Sequence, residues 1–154
     1  MSDATDMVTL QRILRECRVV AMVGLSAKWN RPSYFAASYL QRHNYRIVPV
    51  NPRYEEVLGE KCYPDVDSIP HAVDVVDVFQ RAELVTPIAH RAAAIGARVL
   101  WLQLGIVNEE AAAVARAAGL TVVMDRCMKI EHARFSGGLN WFGMSTGVIS
   151  SRRR

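Results

Sequence analysis

Cysteine is scarce and widely spaced. The three residues, Cys17, Cys62 and Cys127, form an odd set with no CxxC pair, which argues against a disulfide framework and against a zinc site. They read as buried free thiols. No long uninterrupted apolar run, low-complexity tract or repeat of solenoid period is present, so membrane-spanning, disordered and array architectures are not expected. The opening MSDATDMVTLQRILREC carries acids and an amphipathic pattern in place of a basic region followed by an apolar block. A secretory leader is therefore not expected, and the sequence reads as cytoplasmic. Charge of one sign is modest: the formal net charge is +4, part of it in the terminal Arg152–Arg154 run. That weakens any case for nucleic acid, and it fits a polyanionic ligand no better than it fits many proteins with no such ligand.

What is present is a balanced composition, 51% hydrophobic and 22% charged over 154 residues, enough for one domain burying about two thirds of its unfolded surface. Apolar residues at Val8, Leu10, Ile13, Leu14 and Cys17 recur at helical spacing, with Thr5 or Asp6 as cap. RVVAMVGLS is a strand stopped by Gly24. A helix is predicted from Pro32 to His43, with Pro32 suited to its first turn. YRIVPVNP is a second strand, a connector follows, and VDVVDVF is a third strand over Val73 to Phe79. The helix from Pro87 to Ile95 ends at Gly96, and ARVLWLQLG is the fourth strand. Asn108 caps EEAAAVARAAG, whose glutamates suit the helix dipole and whose Gly119 suits a C-cap. LTVVMD is a fifth strand, and a short helix spans Cys127 to Phe135.

Strands rich in Val and Ile alternating with amphipathic helices imply an α/β, doubly wound, five-stranded parallel sheet of Rossmann-like type. The domain is expected over residues 1–135, with a Gly-rich tail at 136–154 packed back on it and a basic, disordered end. Such sheets bind ligands beyond the carboxyl ends of their strands, where strand order reverses. The residues following Val23, Val50, Val78 and Leu102 are the candidates.

The first of these turns, VGLSAKWNRPSYF, pairs Gly24 with the Ser26 hydroxyl and with the charges of Lys28 and Arg31, ahead of a helix N-terminus able to take an anion. Yet Ser26 and Trp29 stand where the dinucleotide fingerprint has glycines, and there is no Gly-Lys-Ser/Thr loop. After the second strand, RIVPVNPRY has no acid for a ribose. Asn51, Pro52 and Arg53 can instead wall an adenine and pair with an extra ribose phosphate, as in NADP or coenzyme A. Arg81 follows the third strand, and Gln103 at the end of the fourth offers an amide, with Gly105 leaving space. No catalytic constellation is evident. His43 and His90 read as surface residues, and His132 and Cys127 are too poorly spaced on a helix to face each other. Asp125-Arg126-Cys127 is explained by a helix cap at Asp125 and an ion pair at Arg126.

The segments VGLS…RPSY, PVNP, GEKCYPDVDSIP, VDVVDVF and LWLQLGIVNEEAAAVARAAGLTVVMDRCMKIEHARF resemble the small stand-alone CoA-binding domain proteins. These are related in fold to the nucleotide-binding domain of the succinyl-CoA synthetase alpha subunit. The resemblance runs from about Val19 to Phe135, and WLQ-G and VVMDRCMKIE make it specific. It implies a cofactor, coenzyme A or an acyl-CoA, lying across the crevice. Gly24, Leu25 and Ser26, with Lys28, Arg31 and Ser33, would meet the phosphates. Asn51, Pro52 and Arg53 would lie at the 3′-phosphoadenosine, and Phe79, Arg81 and Gln103 would border the pantetheine. The glycine-rich first loop and phosphohistidine domain of the synthetases are missing, so the expectation is a non-catalytic binding or regulatory protein. Its partner is a small-molecule nucleotide, with no nucleic acid or membrane, and a homo-oligomer or enzyme partner stays open. The alternatives are an NADP-linked oxidoreductase or redox sensor, and a protein-interaction module with an idle nucleotide site.

Overall fold

A computed structural model describes residues 6–136. The glycine-rich tail, expected to pack on the domain, lies outside them. Asp6 opens the first helix, α1 (Met7–Glu16), by accepting from the Thr9 N–H at 2.7 Å, so of the two expected caps it is Asp6 that serves. Leu10, Ile13 and Leu14 form the buried stripe of α1.

β1 (Val19–Val23) leads through the first turn to α2 (Pro32–Gln41) and β2 (Arg46–Val50). β5 (Val75–Val78), α3 (Val85–Ala94), β6 (Val99–Leu102), α4 (Glu109–Ala117), β7 (Thr121–Val123) and α5 (Met128–Ser136) complete the main alternation. The strands β1, β2, β5, β6 and β7 form one parallel sheet in the order β2-β1-β5-β6-β7. Burial on both faces explains why the strands read as apolar runs instead of alternating. On one face, residues of α1, α2 and α5 (Leu14, Leu40 and Met128 among them) enclose Met22 and Trp101. On the other, Ala89 and Ala92 of α3 and Ala111, Ala112 and Ala115 of α4 let two helices lie close to Val76, Leu100 and Val122. This is the doubly wound, Rossmann-like architecture expected.

Differences from expectation are local. β5 is shorter than Val73 to Phe79, and α3 starts at Val85 after a 3₁₀ turn over Ala82–Leu84. Pro87 therefore sits third in the helix, still within the first turn, where a missing N–H costs nothing. The connector after β2 contains a small antiparallel hairpin, β3 (Glu56–Val57) with β4 (Glu60–Lys61). Its turn residues Leu58 and Gly59 have φ of 54° and 79°, a conformation that suits Asn-Gly and that a leucine does not announce. The helix α2 ends at Gln41, short of His43. None of the described helices is long and apolar enough to cross a membrane.

Candidate functional site

The chain passes from β1 to a neighbour on one side, β2, and later places β5 on the other. The order reverses at β1, and the crevice beyond its carboxyl end is the site that topology selects. Three strand ends meet there. The Gly24 N–H donates to the Val50 carbonyl at 2.9 Å, and the Phe79 N–H donates to the Val23 carbonyl at 2.8 Å. Gly24 has φ of 91°, and a Cβ on it would stand 2.6 Å from the Phe79 carbonyl oxygen and 3.0 Å from Gln80 Nε2. Only glycine fits this junction, both for its backbone angle and for the approach of the β5 end.

Hydroxyl groups hold the rest of the turn. The Ser26 N–H donates to Ser33 Oγ at 3.0 Å, and the Lys28 N–H donates to Ser26 Oγ at 3.0 Å. Leu25 is fully buried, so its side chain anchors the turn, while its carbonyl accepts from Asn51 Nδ2 at 3.0 Å. Asn51 Oδ1 in turn accepts from the Arg53 N–H at 2.9 Å, an Asx turn that reverses the chain after β2. Asn51 thus ties the loop after β1 to the loop after β2. Arg31, at the N-cap of α2, makes no side-chain cap, and Lys28, Arg31, Pro52 and Arg53 are all exposed.

The Asx turn also brings in Tyr54, a residue the sequence reading overlooked. Its hydroxyl faces the Ser26 side chain and the Ala27 N–H. These hydrogen bonds, followed by the charges of Lys28 and Arg53, hold its pKa below the ordinary tyrosine value. Its ring packs against the core cluster enclosed by α1, α2 and α5, as does the half-buried Phe79. Elsewhere burial acts the other way, raising Tyr39 and pushing Tyr45 up to about 12. At Tyr54 the neighbouring groups favour the ionised phenol, whereas burial disfavours it at Tyr39 and Tyr45. A sequence signal for Tyr54 did exist: Asn-Pro followed two residues later by an aromatic is a turn able to fold that ring back.

The remaining candidates are dispersed along the same edge. Arg81 is exposed and pairs with Glu83 at 3.4 Å. Gln103 is only 5% exposed, with its amide directed into the fold between Asp77 and the start of α5. Asp125 does not cap α5. It adopts φ of 59° and accepts from the Gly105 N–H at 2.7 Å, bracing the loop after β6, while Cys127 takes the capping position and its carbonyl accepts from the Glu131 N–H. Arg126 pairs with Glu131 at 3.3 Å, as its expected ion pair requires, and its carbonyl accepts from Trp101 Nε1 at 2.8 Å. His132 turns to α2, its Nδ1 2.9 Å from the Tyr39 hydroxyl, and burial lowers its pKa. His43 is packed in the same group, stacked on Tyr39 with ring centroids 4.2 Å apart, so it is less of a surface residue than its helix-end position suggested.

Residues 18–133 match the CoA binding domain family. The chain is 38% identical over 124 residues to the uncharacterized protein YneT of Bacillus subtilis (strain 168), covering 80% of this chain and 92% of that protein. A 68-residue stretch is 35% identical to the ADP-forming acetate–CoA ligase I of Archaeoglobus fulgidus, covering 44% of this chain and 10% of the ligase. Among solved structures, a hypothetical protein from Pyrococcus horikoshii OT3 is similar at a TM-score of 0.85 and 41% identity, with 88% of this chain and 95% of that one covered. The chain accordingly belongs to the CoA-binding-domain family, as a small protein homologous to the CoA-binding domain of ADP-forming acetate–CoA ligases.

Proposed function

We propose that the protein binds coenzyme A, free or acylated, across the carboxyl edge at β1, and serves as a binding or regulatory protein that performs no chemical step of its own. The observation that carries this reading is the Gly24 junction, where the ends of β1, β2 and β5 meet at the reversal of strand order in a chain matching the CoA binding domain family, with Ser26, Lys28 and Arg53 on the loops that leave it. A pyrophosphate over the Gly24–Lys28 turn would use these groups, with Ser33 holding the turn from behind. Pro52 would flank the adenine, and Arg53 would pair with the 3′-phosphate. Phe79 and Arg81 would border the pantetheine path. Gln103 would support that path from beneath, since its side chain is turned inward.

The test is calorimetric titration with coenzyme A, dephospho-CoA, NAD and NADPH. Coenzyme A should bind most tightly. Arg53→Ala should weaken coenzyme A by roughly tenfold or more, the worth of a charge-assisted hydrogen bond, while leaving dephospho-CoA nearly unchanged. Equal losses for both would remove Arg53 from the 3′-phosphate. Tighter binding of NADPH would favour the oxidoreductase alternative, and no binding of any nucleotide would overturn the reading in favour of an interaction module.

A further inference from the structure

Every side chain of β5 is buried, and one of them is a carboxyl. Asp77, at 0% exposure, lies in register between Met22 of β1 and Trp101 of β6. Burial alone pushes its pKa well above the ordinary aspartate range, and among the described residues no charged side chain offsets it. The groups at the entry to α5 are occupied elsewhere: Arg126 pairs with Glu131, and Asp125 accepts from Gly105. Cys127 is part-exposed, and α5 presents Met128 to this part of the core.

The polar group that meets Asp77 is the amide of Gln103, and its two orientations are mutually exclusive. With its nitrogen toward Asp77, the amide donates to the carboxyl oxygens at 2.7 and 3.2 Å. With its oxygen in that place, it accepts from the Met128 N–H at 3.4 Å. A carboxylate demands the first orientation, which sets an amide nitrogen against the Met128 N–H, donor to donor, and leaves a buried charge with a single donor group. A neutral acid permits the second, because a carbonyl oxygen has lone pairs for two donors, although the amide nitrogen then faces donors only; what separates the two orientations is the buried charge. The neutral acid avoids burying an unpaired charge.

We propose that Asp77 is a carboxylic acid in the folded protein and acts as a positioning residue: its O–H donates to the Gln103 amide oxygen, which stays turned toward the Met128 N–H and fixes the start of α5. The assignment is independent of which ligand the crevice takes. Its pH dependence has a definite sign. The unfolded chain releases this proton at the ordinary aspartate value, while the folded chain keeps it. The contribution is therefore complete below the ordinary value and is lost progressively as pH rises toward the folded-state value. Over that window the unfolding constant gains about tenfold per pH unit from this residue.

The experiment is an NMR titration of the Asp77 carboxyl carbon in the full chain, with hydrogen exchange at the Met128 amide and denaturant unfolding across pH for wild type and Asp77→Asn. The asparagine amide can donate to Gln103 as the acid does, so Asp77→Asn should keep Met128 protected and should lack the tenfold-per-unit component. The wild-type carbon should pass through the ordinary aspartate range without titrating. Titration within that range, or a pH profile shared by the two proteins, would overturn the assignment. Should Asp77→Asn fail to fold, the wild-type resonance decides by itself.

Discussion

Replacing Gly24 by alanine tests the junction on which the crevice depends. Two costs are separable. An L-residue at φ of 91° is strained by about 1–3 kcal/mol. The added Cβ also meets the Phe79 carbonyl oxygen at 2.6 Å. That oxygen belongs to backbone fixed by the Phe79 N–H bond to Val23, so it cannot swing aside as a side-chain tip would. Overpacking of this kind costs about 1–3 kcal/mol more. The control is built into the protein: Gly119 has φ of 93°, nearly the same, and a Cβ there meets nothing within 4 Å. Urea unfolding of Gly24→Ala and Gly119→Ala should therefore show both destabilised, with Gly24→Ala worse by about 1–3 kcal/mol, the steric part alone. Gly24→Ala should also lose affinity for coenzyme A, since β1 and β5 can no longer close on each other. Equal destabilisation of the two variants would refute the claim that close approach, and not only backbone angle, reserves position 24 for glycine.

Ser33→Ala should lower the stability of the ligand-free protein by about 1–3 kcal/mol in chemical unfolding, because the Ser26 N–H loses its acceptor; a change seen only with ligand present would mean that Ser33 touches the ligand and does not clip the turn. Asn108→Ala removes the cap of α4, which accepts from the Ala111 N–H at 2.9 Å and donates to the Ala82 carbonyl at 2.8 Å. A loss of about 1–2 kcal/mol is expected, with calorimetric melting as the check and an unchanged midpoint as the contrary result. For Tyr54, phenolate absorbance should reveal one tyrosine titrating below the ordinary value, absent in Tyr54→Phe. Saturating pyrophosphate should move that titration upward, since added negative charge disfavours the phenolate; no movement would place the anion elsewhere.

Much of this architecture was legible because a parallel sheet buries both faces and so writes its strands as Val- and Ile-rich runs. Gly24 and Asn108 were equally plain, each being a residue type that its local geometry nearly demands. The hairpin was not legible, because its turn relies on Leu58 at positive φ, a cost that tertiary packing offsets and local sequence hides. Gln103 illustrates a different limit. Its place after β6 identified a strand end, and its two-residue spacing from Trp101 placed both on one face. Nothing local told that α5 would cover that face and turn the amide toward Asp77 and Met128. Tyr54 was only half legible: the Asn-Pro turn announces that the chain folds back, but not that the ring three residues beyond Asn51 returns to Ser26.

The missing fingerprint glycines acquire a physical sense from the same contacts. In a glycine-rich loop the amides are bare, and a phosphate must order the chain as it binds. Here Ser33 Oγ holds the Ser26 N–H, Ser26 Oγ holds the Lys28 N–H, and Asn51 holds the Leu25 carbonyl. The turn is thus shaped before any ligand arrives, and the ordering entropy falls on folding instead of on binding. A hydroxyl can rotate to donate toward an incoming anion while still accepting from an amide. Serine can therefore both brace this turn and meet a phosphate, so long as glycine is kept at the single position where two strand ends touch.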